Sequence, residues 1–176
     1  MQQAIPLAAA VAAESMQAEL GGLTPLATFR GLLIFSADAS DIPSTMQEIG
    51  RIREAVFRQA GAGRNLPRDL DDLDYTAPAY QQLLVWDPER LQLVAMYRYQ
   101  LGWLAADAGL HILRTSQLFR YSEAFRAQVL PYAIELGRSV VNPAAAAHTL
   151  GFFALWLGLG ALLRRHPRLQ YFFGNV

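Results

Sequence analysis

Apolar residues run almost unbroken through residues 31–37 (GLLIFSA), which predicts a first strand. Beyond it, Ile49, Ile52, Val56 and Phe57 recur at helical spacing, predicting a helix that ends near Gln59, before Gly61-Ala62-Gly63. Asp41, Ser44 and Thr45 are candidate caps for that helix, with Thr45 and Glu48 spaced as a capping box. Arg53 lies four residues from both Ile49 and Phe57, partly on the inward stripe. A guanidinium there either finds an anionic partner or snorkels past the stripe edge. Residues 82–86 and 91–99 read as two strands joined by Asp87-Pro88-Glu89-Arg90, a hairpin with proline in the second turn position. Arg98 closes its second strand, on the same face as Val94 and Met96. A helix is expected over residues 122–129 and a strand around Glu135. An apolar helix over residues 144–163 and a last strand over residues 169–176 complete the pattern. The order is strand, helix, hairpin, strand, helix, strand.

The stretch 144–163 is twenty residues without a charge, ending at Arg164-Arg165, and its length permits a membrane span. It also contains His148, Thr149 and three glycines and lies between two predicted strands, which points to a buried core helix instead. Residues 4–11 are apolar but lack a basic flank, so they read as a weakly amphipathic or disordered lead-in and not a signal peptide. Residues 1–27 are set apart as this lead-in and residues 28–176 as one domain, long enough for a sizeable core.

Fifteen basic residues, all arginine, balance fifteen acidic ones, so no global field draws in nucleic acid. There is no cysteine, which excludes disulfides and thiolate nucleophiles and fits a cytoplasmic protein. His111, His148 and His166 are scattered, and no metal site is expected. Asp69, Asp71, Asp72 and Asp74 place four carboxylates within six residues. Such a run is either a solvated turn or a pocket for an ammonium group.

The chemistry concentrates in Glu135-Leu136-Gly137-Arg138-Ser139, charged residues inside a strand-like stretch. Strand alternation puts Glu135, Gly137 and Ser139 on one face and Ile134, Leu136, Arg138 and Val140 on the other. Gly137 leaves room for a ligand beside the glutamate. Asn142 and Pro143 are suited to cap and open the following helix, whose N-terminus would accept a phosphate. An ion pair at a strand end is the plainer alternative.

These motifs, in this order, resemble the GNAT-like acyltransferases of the ornithine-lipid and glycine-lipid (hemolysin-like) type. The resemblance rests on Arg53-Glu54-Ala55-Val56-Phe57, on the glycine turn 57–65 with the acidic run 69–74, and on the hairpin with Tyr97-Arg98. It continues through Ser116-Gln117-Leu118-Phe119-Arg120-Tyr121-Ser122, the Glu135 segment, residues 155–162 and Tyr171-Phe172-Phe173-Gly174-Asn175-Val176. It implies an α/β (α+β) fold, a central mixed sheet flanked by helices. Family members continue beyond the point matching Val176, so the fold is expected without its C-terminal strands. Residues 142–148 depart from the family in being alanine-rich.

The implied reaction moves a fatty, often 3-hydroxylated, acyl group from acyl carrier protein to the α-amino group of an amino acid such as ornithine or glycine. No cofactor is implied beyond the phosphopantetheine thioester of the donor, and the setting is cytoplasmic with peripheral contact at the inner membrane. Glu135 is the candidate base, with Arg138 and Ser139 beside it; ordinary glutamate, near pKa ~4.3, is a weak base toward an ammonium, so the role calls for a buried site. Arg53 and Arg98, with Asp71 and Asp74, are candidates for holding the acceptor. Val140, Val141 and Asn142 are candidates for the pantetheine arm. Trp156, with Trp103, Phe152 and Phe153, either lines an acyl channel or packs the core. An acyl-homoserine-lactone synthase, acting on S-adenosylmethionine, shares the layout. A non-catalytic domain that binds carrier protein or membrane is the third alternative.

Overall fold

The computed structural model describes residues 5–175; Ala4 and Val176, at the ends of the lead-in and the last predicted strand, lie outside them. Six strands form one mixed sheet in sequence order: β1 (Ala27–Phe29), β2 (Leu32–Ala37), β3 (Gln81–Asp87), β4 (Gln92–Leu101), β5 (Ala133–Val141) and β6 (Tyr171–Gly174). The first four pairings are antiparallel and the last, β5 with β6, is parallel. Helices α1 (Ala13–Gly21) and α2 (Pro43–Gln59) cover one face, and α4 (His148–Arg165) covers the other. Between β4 and β5, the short α3 (Leu104–Ala108) and several tight turns form a third apolar cluster with Leu113, Leu130 and Phe173.

The alternation of the strands builds the two main cores. Phe35, Leu84, Trp86 and Met96 meet Met46, Ile49 and Ile52 of α2. Ile34, Leu83, Val85 and Ala95 meet Ala154, Leu155 and Leu159 of α4. Val94 corrects its predicted place: Val85 pairs with Ala95 and Trp86 with Leu93, so Val94 is the extra residue of a bulge and turns to the α4 side, away from Met96 and Arg98. β4 also runs past Arg98 to Leu101.

The lead-in is ordered where it contains α1, whose Met16 and Leu20 enter the α2 core. This explains how α2 is capped. Thr45 and Glu48 form no capping box; Glu48 binds Arg51 and the backbone N–H of Val11 instead. The carboxylate of Glu19, from α1, accepts from the Ser44 and Thr45 N–H groups at 2.7 and 2.8 Å and from Thr45 Oγ1 at 2.7 Å. A carboxylate at a helix N-terminus satisfies otherwise orphaned donors and faces the positive end of the dipole. Glu19→Ala is therefore expected to cost about 1–2 kcal/mol, the range of a lost N-cap, read as a lower urea midpoint at unchanged slope.

α4 starts at His148, and its glycines explain how it packs. Cβ atoms added at Gly151 and Gly158 would lie 3.0–3.3 Å from Ala95, Val94, Val141, Ile34 and Leu83, so the helix sits close on the sheet. Among the described residues no helix is long and apolar enough to cross a membrane.

Candidate active site

β5 pairs with β6 from Ala133 to Leu136, opposite Tyr171 to Gly174, and itself runs on to Val141. Beside this pair lies a cleft of about 740 Å³, whose lining includes Glu135, Gly137, Arg138 and Ser139 from β5, Phe172 and Phe173 from β6, and Arg114. At Gly174 β6 lies close against β5, since a Cβ there would collide with the Leu136 carbonyl oxygen. At Gly137 the nearest atom to an added Cβ is Arg98 Nε at 3.9 Å, so its face is open.

The predicted alternation along β5 fails at Arg138. Arg98 pairs with Gly137 but Met96 with Val140, so Arg138 and Ser139 together oppose Tyr97 in a bulge, with Arg138 at φ 56°. The bulge moves Arg138 onto the Glu135 face, where Nε lies 2.9 Å from Asp69 Oδ2 and the guanidinium covers the Phe57 ring at 5.5 Å. Ser139 is exposed at the cleft wall.

Glu135 is buried in the wall of the cleft. One carboxylate oxygen accepts from the Thr115 backbone N–H at 2.7 Å and the other from Tyr80 Oη at 2.8 Å. Tyr80 in turn accepts from the Arg114 N–H at 2.8 Å. Burial, then the neighbouring Glu135 charge, push the Tyr80 phenol well above its ordinary value, so it keeps its proton and donates it to Glu135.

Beneath this network runs a ladder of alternating charge. Arg53 reaches Asp74 at 3.3 Å; Asp74 lies 3.2 Å from Arg98; Arg98 holds Asp71 through two bonds of 2.7 and 3.2 Å; Asp71 and Asp69 flank Arg138. The Arg98 guanidinium also lies over the Tyr80 ring at 4.8 Å. Burial works against the Arg98 charge, but Asp71 and Asp74 outweigh it and raise its pKa; Asp71 is correspondingly lowered, with the Arg98 bond overcoming its own desolvation. Both therefore stay ionised.

The acidic run is thus neither a solvated turn nor an open ammonium pocket. Asp69 and Asp74 are buried in ion pairs, and Asp72 alone of the four is exposed. Arg53 is fully buried between Asp74 and Gln82, with no surface for a substrate. Of the residues predicted for this site, Glu135, Arg138, Ser139 and Arg98 line the cleft; Arg53, Asp71 and Asp74 support it from below. Val140 points into the α2 core and Val141 into the α4 core. Asn142 caps no helix: its amide donates to the Leu93 carbonyl and its side-chain oxygen accepts from Ala144 N–H, because α4 begins six residues later. Trp156, Phe152 and Phe153 lie exposed on the outer side of α4, and Trp103 is half-buried under Arg168.

Residues 52–153, more than half of the chain, match the family model described as an acetyltransferase (GNAT) domain. The chain belongs to the GNAT acetyltransferase family. It is similar to a protein of Bacteroides thetaiotaomicron named glycine N(alpha)-acyltransferase, at 44% identity over 151 residues, which cover 81% of this chain and 45% of the relative. A protein of the same name from Phocaeicola vulgatus is 41% identical over 151 residues, covering 81% of this chain and 46% of its own length. The chain thus spans about half the length of the curated relatives it matches. No solved structure matches it. The family match takes in Arg53, the acidic run, the hairpin and Glu135 but ends inside α4, so β6, the second wall of this GNAT cleft, lies outside it.

Tyr80, Thr115, Arg114 and Gln82 were not anticipated as site residues. Thr115 and Arg114 serve Glu135 and Tyr80 through backbone N–H groups, which carry no residue signature. Tyr80 had one signal, an aromatic beside Pro78 at the mouth of a strand.

Proposed function

We propose that this domain is an amino-acid N-acyltransferase that moves a fatty (3-hydroxy)acyl group from the phosphopantetheine thioester of acyl carrier protein to the α-amino group of an amino acid such as glycine or ornithine, as the first step of aminolipid synthesis. The observation that carries the reading is a buried Glu135 in the wall of the cleft that β5 and β6 line. The stretch of β5 from Gly137 to Ser139, in the cleft wall, suits an extended pantetheine arm, which would run along it as a strand does. The names of the relatives support glycine as acceptor.

In this reading Glu135 accepts a proton from the acceptor ammonium, directly or through one water. A carboxylate offers about four lone-pair sites, and Thr115 and Tyr80 use two. The free amine attacks the thioester carbonyl, whose oxygen is stabilised by backbone N–H groups at the Arg138–Ser139 bulge. Attack forms the C–N bond, and collapse of the tetrahedral intermediate breaks the C–S bond; the leaving thiolate takes up the amine's second proton to become the pantetheine thiol, and Glu135 returns its proton to solvent.

The donor preference is supported by residues 142–148. The Ala144, Ala145, Ala146 and His148 N–H groups are bound to Asn142 Oδ1, the Asn142 carbonyl, Gln92 Oε1 and the Ala145 carbonyl, which favours a single-phosphate arm over the diphosphate of coenzyme A. Residues 28–176 are the unit to which we assign the activity, and we place it in the cytoplasm at the inner-membrane surface.

Purified protein incubated with an acyl-carrier thioester and glycine, serine or ornithine is expected to yield the N-acyl amide by mass spectrometry. No amide with any amino acid, together with turnover of S-adenosylmethionine, would replace this reading by the autoinducer-synthase one. Binding of the acyl carrier protein without turnover would leave a non-catalytic domain.

A further inference from the structure

The outer face of α4 is unlike an ordinary solvent-exposed helix face. Phe152, Phe153 and Trp156 are 56%, 62% and 58% exposed. Their rings lie together edge-on, Phe152 at 6.1 Å from each of the other two. Thr149, Phe153, Trp156 and Gly160 share one helical stripe, and no charge interrupts the chain from Ser139 to Leu163. The stripe then meets Arg164, exposed like Arg165 and Arg168. The chain balances fifteen acidic with fifteen basic residues, yet no Asp or Glu follows Glu135, whereas Arg164, Arg165 and Arg168 do, apart from Arg138, which is paired with Asp69 in the cleft. One segment therefore carries both the exposed aromatic surface and an excess of positive charge.

We infer that the outer face of α4 docks on an anionic bilayer surface, with Phe152, Phe153 and Trp156 at the headgroup–acyl boundary and Arg164 and Arg165 at the lipid phosphates. The indole of Trp156, with its N–H, favours that boundary, the two phenyl rings bury in the acyl side of it, and arginines beside them reach acidic headgroups. An acidic carrier protein would engage the arginines but has no use for three uncovered rings. A purely apolar partner would use the rings but not the charge. Of the proposed function, the inference deepens only the membrane location and makes no use of the acyl-transfer step.

The test is co-sedimentation of the purified protein with vesicles of mixed phosphatidylglycerol and phosphatidylcholine, or of phosphatidylcholine alone. Binding is expected to the anionic vesicles, weakened by salt, with Trp156 fluorescence shifted to the blue and quenched by lipids brominated on the acyl chain. The Phe153→Ser/Trp156→Ser variant is expected to lose binding about tenfold or more, and Arg164→Gln/Arg165→Gln to lose it on anionic vesicles alone. Far-ultraviolet circular dichroism and melting of both variants should match the parent, since these side chains are exposed. The inference is overturned if the parent ignores both vesicle types, or if Phe153→Ser/Trp156→Ser binds as well as the parent. It is also overturned if the variant abolishes only self-association of the chain, which would make the face an interface between copies. Acyl transfer measured without vesicles fails or succeeds independently of all these outcomes.

Discussion

Glu135→Gln is expected to lower kcat by ~10²–10⁴-fold in the glycine acylation assay, the range of general-base loss. KM for the acyl-carrier thioester should change little, because the cleft walls are untouched. The melting temperature should also move little. The glutamine oxygen can accept from the Thr115 N–H, and its amide nitrogen can donate to Tyr80 Oη, which has a lone pair beyond the one used by Arg114. Such a variant separates two roles that the geometry superimposes on one carboxylate, since Glu135 is both the acceptor that anchors Tyr80 and Thr115 and the proposed base. Near-normal turnover with reduced stability would make Glu135 a structural acceptor and leave proton removal to water.

Asp74→Ala should be the most destabilising of these substitutions, at about 3–5 kcal/mol, the cost of breaking a buried pair from one side. Asp74 is fully buried, touches both Arg53 and Arg98, and accepts from the Asp71 N–H at 3.1 Å. Without it, Arg53 keeps among the described residues only Gln82 as a hydrogen-bonding partner, and a fully buried guanidinium loses its paired carboxylate. Chemical denaturation with two probes measures the loss. Asp74→Asn separates its parts, because the amide keeps an acceptor for the Asp71 N–H but removes the charge. An unchanged denaturation midpoint for Asp74→Ala would mean that the ladder is not a unit and that solvent compensates Arg53.

The two predictions touch different layers of one device. The ladder fixes Arg98 against the face of the Tyr80 ring, Tyr80 fixes Glu135, and the bulge at Arg138 ties β5 to Asp69. Catalytic precision in such a site comes from the groups beneath it, so mild ladder variants that still fold should lower turnover without touching substrate.

Local patterns determined much of this protein. The apolar run of β2, the helical spacing of Ile49, Ile52 and Val56, and the turn at Asp87-Pro88 identify β2, α2 and the β3–β4 hairpin, because backbone preference and the burial of one face act within a few residues. Glu135 and Gly137 stood out for the same reason: a carboxylate beside a glycine breaks an apolar strand. The tertiary structure alone decided the rest. Glu19 caps α2 from 25 residues away, and Tyr80 meets Glu135 across 55. The burial of Asp69 and Asp74 depends on arginines contributed by α2, β4 and β5. The alternation at Arg138 broke because one extra residue in β5 shifts every later side chain to the other face, at a position with φ 56° that no spacing of apolar residues marks. α4 was legible as an apolar helix, but not which side of it would stay uncovered: its glycines let the sheet approach one face, and the aromatic rings were left on the other. Secondary structure follows from interactions close along the chain, whereas the charge ladder, the remote cap and the re-aimed arginine are contacts between segments whose meeting only the folded sheet arranges.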